Sequence, residues 1–198
     1  AVVRVQFNPA RMVSTGAKTD KAALAKRPCF LCKKNRPARQ REVSMDGFEL
    51  LVNPFPILPE HYTMPRTSHD MQRIDSYFSV MLDVAEMHPD YCVFYNGPKC
   101  GASAPDHMHF QVGRTADVPF FAPWEKAGSP CGFVDFWPGT CVVIAGSRDE
   151  VEREFRRLYD SLPVPVGETE PMFNVFARYA YGTAKDELNS CPGKRPAD

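Results

Sequence analysis

The chain has 198 residues, 43% hydrophobic and 24% charged, with 24 Lys and Arg balancing 24 Asp and Glu. This is the composition of a globular protein with room for one large domain or two small ones, and its zero net charge excludes an overall basic field for nucleic acid. No apolar run approaches the roughly 20 residues that span a bilayer, and no secretory h-region opens the sequence, so neither a membrane nor a nucleic-acid partner is expected.

In chain order, Val2 to Phe7 (VVRVQF) alternates as a strand does. Residues 8–46 are polar and irregular and predict a loop-rich segment. Within it lies KRPCFLCKKNRPARQR, a basic stretch that reads either as a solvated loop or as an attractor of an anionic substrate. FELLVN (Phe48 to Asn53) predicts a strand stopped by PFPILPE, and HYTMP its antiparallel neighbour. The pattern then turns helical: Met71, Ile74, Phe78, Met81, Leu82 and Ala85 recur at three and four, predicting a helix over 70–87. Ser68 or Asp70 would cap it, and His88-Pro89 would end it.

YCVFYN (Tyr91 to Asn96) and HMHFQV predict two more strands around the loop GPKCGASAPD. TCVVIAG reads as a strand, SRDEVEREFRRLYDSL as a surface helix, PMFNVFARYAY as a further strand, and the tail beyond Tyr181 as poorly packed.

Only five histidines are present, and two of them stand at i and i+2 in GASAPDHMHFQ, followed by a glutamine. On a strand His107, His109 and Gln111 would share one face, with Met108, Phe110 and Val112 facing a core. An imidazole near its ordinary pKa of about 6.5 is a competent nucleophile toward phosphorus. Gly97, Gly101 and Ser103 can offer backbone N–H groups and a hydroxyl to phosphate oxygens. Gln111 can donate a hydrogen bond to a phosphoryl group but cannot supply a proton as an acid. That favours leaving groups needing no acid, and transfer over hydrolysis.

The seven cysteines, an odd number, argue against a complete disulfide framework and for a reducing compartment, with the cytoplasm as the default. The Cys29-x-x-Cys32 spacing is shared by redox pairs and metal sites, and a zinc ion would need two further ligands. Cys92, Cys100, Cys131, Cys141 and Cys191 have no partner pattern.

GASAPDHMHFQ resembles the Gly-x-Ser-x-x-His-x-His-x-Gln signature of the histidine-triad superfamily, in the branch of galactose-1-phosphate uridylyltransferase, dinucleoside polyphosphate phosphorylases and GDP-L-galactose phosphorylase. The resemblance covers roughly residues 28–113. It implies that His109 is the nucleophile, that Gln111 holds the nucleotidyl phosphate, and that Ser103 and Gly101 contact phosphate. FYNG implies a phosphate contact from Asn96, and LVNPFP a ribose or base contact from Asn53. The family's structural zinc maps to Cys29, Cys32, His69 and His107, with His61 in reserve, and His107 also stands in the catalytic set as the histidine that orients or binds metal while His109 attacks. Asp106 is a departure, since the uridylyltransferases run proline directly into the first histidine, and the chain is shorter than a two-lobed enzyme.

The expected fold is α+β, an antiparallel sheet with the long helix on one face. Residues 1–125 would form the catalytic domain and 126–198 a smaller lobe or extension. The expected activity is a nucleotidyltransferase or phosphorylase acting on a nucleotide sugar or dinucleoside polyphosphate, with phosphate or a sugar phosphate as acceptor. A homodimer is expected by analogy. The alternatives are a hydrolase of the same superfamily, a non-catalytic zinc-stabilised nucleotide-binding module, and a redox protein built on Cys29 and Cys32.

Overall fold

A computed structural model of the chain describes residues 7, 9, 20–118, 132–133 and 141–180. Strands β1 (Glu42–Met45), β2 (Phe48–Val52), β3 (His61–Pro65), β4 (Tyr91–Asn96), β5 (His109–Arg114) and β8 (Asn174–Arg178) form one sheet in the order β1-β2-β3-β5-β4-β8. Every neighbouring pair in it is antiparallel. A two-stranded ribbon pairs β6 (Gly132–Phe133) with β7 (Val142–Val143). The helices are α1 (Lys21–Lys26), α2 (Phe78–Met87) and α3 (Arg148–Ser161). None of the described helices is long and apolar enough to cross a membrane.

Alternation along the strands divides the sheet into two faces. Phe48, Met64, Phe110, Val112, Val93 and Tyr95 pack beneath Phe78, Met81, Val84 and Ala85 of α2 in a single apolar core. The helix α3 closes that core: its Phe155 ring stacks on Phe78 with centroids 3.6 Å apart. The opposite face carries His61, Thr63, His109 and Gln111, and this is the face on which the predicted chemistry falls.

The expected α+β architecture is present, with three differences in detail. The helix expected over 70–87 begins only at Phe78. The backbone before it is committed elsewhere: Met108 N–H donates to the Asp70 carbonyl (2.6 Å), Gln72 N–H to the Pro105 carbonyl (3.1 Å), and Ile74 N–H to the Glu170 carboxylate (3.1 Å). The expected cap residues Ser68 and Asp70 bond to each other and to Arg66 instead. The strand expected from His107 starts at His109, because His107 closes a turn onto the Ala104 carbonyl. Residues 8–46, read as loop, contain α1 and β1; β1 turns into β2 through Asp46-Gly47, both at positive φ (33° and 77°). Residues 2–6 of the first predicted strand, Tyr181 and the tail after it, Cys131 and Cys191 lie outside the described residues.

The segment after α3 returns to the sheet. The β8 strand extends it beside β4, and Gly97 N–H donates to the Phe173 carbonyl. A Cβ on Gly97 would stand 2.6 Å from that carbonyl oxygen, so only glycine allows this approach. Glu170, 3% exposed, accepts from Ile74 N–H and from the Tyr95 hydroxyl. Burial holds its carboxyl above the ordinary 4.5, with Arg73, Asp75, Tyr159 and Cys100 as its other charged or titratable neighbours. An acid with a raised folded pKa contributes stability that is complete below its unfolded pKa and is lost as pH rises through the folded value. Glu170→Gln should therefore gain stability relative to the unaltered protein as pH rises above the ordinary carboxyl value of 4.5 and through the raised folded one. Paired melting curves check this, and a pH-independent difference would contradict it.

Candidate active site and metal centre

Four predicted ligands meet in space. The donor atoms of Cys29, Cys32, His69 and His107 all lie within 4.8 Å of one another. Cys29 Sγ and Cys32 Sγ stand 3.3 and 3.6 Å from His107 Nδ1, and Cys32 Sγ stands 3.2 Å from His69 Nδ1. A tetrahedral ion with bonds of about 2.1–2.3 Å sets its donors about 3.4–3.8 Å apart, so this group could hold a metal ion. The tautomer suits it as well. His107 Nε2–H donates to the Arg66 carbonyl at 2.8 Å, which leaves the lone pair on Nδ1, the atom facing both sulfurs.

Protein contacts also anchor the segment that carries the cysteine pair. Arg36 reaches back to the Leu31 carbonyl (2.7 Å) and forms a buried pair with Glu49 on β2 (2.5 Å). Asn35 donates to the Cys29 carbonyl (2.8 Å), and Leu31 packs with Cys29 against Ala104. Two cations of the basic stretch, Lys33 and Arg36, are thereby neutralised by Glu42 and Glu49.

His109 opens β5 and is 5% exposed. Its Nδ1 lies 2.8 Å from the His107 carbonyl, an acceptor only, so Nδ1 carries the proton and Nε2 the lone pair. Burial holds its pKa down at about 4, keeping the ring neutral in neutral solution. Two residues on, Gln111 shares its face. His61 Nδ1 accepts from Ile57 N–H (3.1 Å), so its Nε2–H donates to Gln111 Oε1 (2.9 Å), and the Gln111 amide NH₂ remains a donor. A neutral nucleophilic nitrogen and an amide donor on one strand face can attack and hold a phosphoryl group.

The substrate-side residues are less concentrated. Asn96 ends β4 on the side of Cys92 and Phe94, and Gly101 has φ +106° in the loop that follows. Ser103 accepts from Arg27 through its carbonyl (3.3 Å), and the same guanidinium pairs with Asp106 at 2.8 Å. The inserted aspartate thus ties the loop to the end of α1. Asn53 is engaged in its own turn: Oδ1 accepts from Phe55 N–H and Nδ2 donates to Thr63 Oγ1, both at 2.8 Å. Thr63 stands opposite Gln111. The ring of His107, read as both ligand and catalytic, has both nitrogens committed at the sulfurs and Arg66, and only its carbonyl reaches His109.

Two residues take roles at the site that the sequence did not indicate. His61, held in reserve as a ligand, orients Gln111. Gln72, fully buried, bonds the main chain of His109. A helical pattern hid Gln72, since a polar residue between Met71 and Ile74 fits the solvent face of a helix.

Residues 1–114 match the family described as a domain of unknown function (DUF4922), and the chain belongs to that family. No curated protein matches it. Two solved structures are similar to parts of it. A yeast Ap4A phosphorylase Apa2 in complex with AMP is 30% identical over 39% of this chain and 29% of its own, with a TM-score of 0.32. A second structure of yeast Ap4A phosphorylase Apa2 is 20% identical over 66% of this chain and 53% of its own, with a TM-score of 0.36. The chain spans about half of that protein's length, or less.

Proposed function

We propose that the protein transfers a nucleotidyl group through a covalent intermediate on His109. The substrate is a nucleoside diphosphate sugar or a dinucleoside polyphosphate, and the acceptor is phosphate or a sugar phosphate. The observation that carries this reading is the His109 tautomer: Nδ1–H is committed to the His107 carbonyl, so the lone pair sits on Nε2 of a neutral ring, two residues from the Gln111 amide. In the first step Nε2 attacks phosphorus, a P–N bond forms, and the bridging P–O bond breaks with its electron pair leaving on the departing phosphate. The imidazolium charge is shared with the His107 carbonyl through Nδ1–H. In the second step an acceptor oxygen attacks, the P–N bond breaks, and the lone pair returns to Nε2.

Gln111 donates its amide N–H to the phosphoryl oxygens in this scheme. Asn96, Gly101 and Ser103 serve the phosphates and Asn53 the nucleoside, as the motif resemblance implies. Zinc is the ion we assign to Cys29, Cys32, His69 and His107, because two thiolates and two imidazoles at tetrahedral spacing are its preferred donors. Its part is structural, fastening the loops of residues 29–36 and 66–70 to the turn before β5. We assign this chemistry to residues 1–125, with α3 and β8 from the segment after 125 completing the same core and sheet.

Product analysis with and without phosphate tests the reading. Turnover that requires an acceptor, with the acceptor found in the product, is expected. Equal turnover in its absence, with free mononucleotide formed, would make the protein a hydrolase. Gln111→His places a proton donor near the leaving group, so hydrolytic product should rise by roughly tenfold or more. An unchanged product ratio would contradict the role given to Gln111.

A further inference from the structure

The ladder between β4 and β5 runs from Tyr91↔Arg114 to Phe94↔Gln111 and ends there. Two residues further, the same register would set Asn96 opposite His109. The side chain of Gln72 occupies that fork instead. Its Nε2 donates to the Asn96 carbonyl (2.9 Å) and the His109 carbonyl (3.1 Å), while its Oε1 accepts from His109 N–H (2.8 Å). Every polar atom of this amide is used, and the residue is 0% exposed. The Gln72 main-chain N–H also holds the Pro105 carbonyl, and His69 of the metal cluster lies three residues away.

Burying a primary amide costs stability unless each of its groups is bonded. A continuous ladder would satisfy the same strand groups without it. What the amide adds is a fixed opening between the two strands, with His109 on one side and Asn96 on the other. We propose that Gln72 is a positioning residue. It fixes the main chain of His109, and thereby the Nε2 line of approach, and it couples that position to the loop carrying His69. The inference deepens the transfer reading of the same site and rests on it.

The test uses Gln72→Met, which keeps length and volume and removes all three side-chain bonds. Gln72→Glu, which keeps the acceptor for His109 N–H and removes the donors, serves as the second variant where the first fails to fold. Three quantities are read: single-turnover labelling of His109 by the nucleotide sugar or dinucleoside polyphosphate that labels the unaltered protein, affinity for that compound, and the His109 signals in ¹⁵N-histidine spectra without substrate. Labelling should slow by roughly 10- to 100-fold, the cost of displacing a reacting group by about 1 Å. Affinity should stay within about threefold, and the His109 nitrogen signals should move. Unaltered labelling, or unmoved His109 signals, would overturn the positioning role. So would labelling and affinity falling together in proportion to melting temperature. Absence of labelling in the unaltered protein would overturn the transfer reading and this inference with it; moved signals in the spectra would still report the Gln72 contact separately.

Discussion

His109→Ala should lower turnover by roughly a thousandfold or more while the protein still folds and keeps the metal proposed for Cys29, Cys32, His69 and His107. The transfer scheme routes every bond change through Nε2, so alanine removes the reaction rather than slowing it. The structural cost is modest by comparison. The substitution deletes one hydrogen bond, to the His107 carbonyl, and leaves space around a residue 5% exposed, which together amount to about 1–3 kcal/mol. Melting temperature and metal content separate the two effects. Retained turnover in a folded His109→Ala protein would exclude a nucleotidyl-histidine pathway.

The second large effect concerns the metal centre. Removing the ion by a strong chelator, or a ligand by Cys29→Ser, should lower the melting temperature by roughly 10 °C or more. Structural zinc contributes many kcal/mol to small folds, and each kcal/mol shifts a domain of this size by about 2–4 °C. The loops it would join have other anchors, including Arg36 with Glu49 and Arg66 with Asp70, so loosening around the site is expected rather than global unfolding. Cobalt substitution should give thiolate-to-metal absorption that Cys32→Ser weakens. A purified protein that holds no metal at one equivalent per chain, and is indifferent to chelation, would contradict the assignment.

Parts of this arrangement were legible in the sequence for definite physical reasons. FELLVN, HYTMP and YCVFYN are short β-prone runs bounded by turn residues, and the strands lie where those runs set them. The helix α3 announces itself through Ser147 and Glu150, whose carboxylate accepts from Ser147 N–H at 2.8 Å. The grouping of Cys29, Cys32, His69 and His107 came from a family resemblance, since no local spacing ties residue 32 to residue 69. Three features were hidden. The β1–β2 hairpin carries the Asp-Gly signal of a two-residue turn, but the basic, proline-rich sequence before it reads as loop. The late start of α2 depends on partners more than thirty residues away, Pro105, Met108 and Glu170. Gln72 depends on where two strands part, which no periodicity reports.

The most direct measurement of the central claim is intact-protein and peptide mass spectrometry after incubation with nucleotide sugars and dinucleoside polyphosphates, without acceptor. The account predicts an acid-labile mononucleotide adduct on His109, discharged by phosphate or a sugar phosphate and missing from His109→Ala. Acceptor-dependent turnover with no adduct, or an adduct on a residue other than His109, would contradict it.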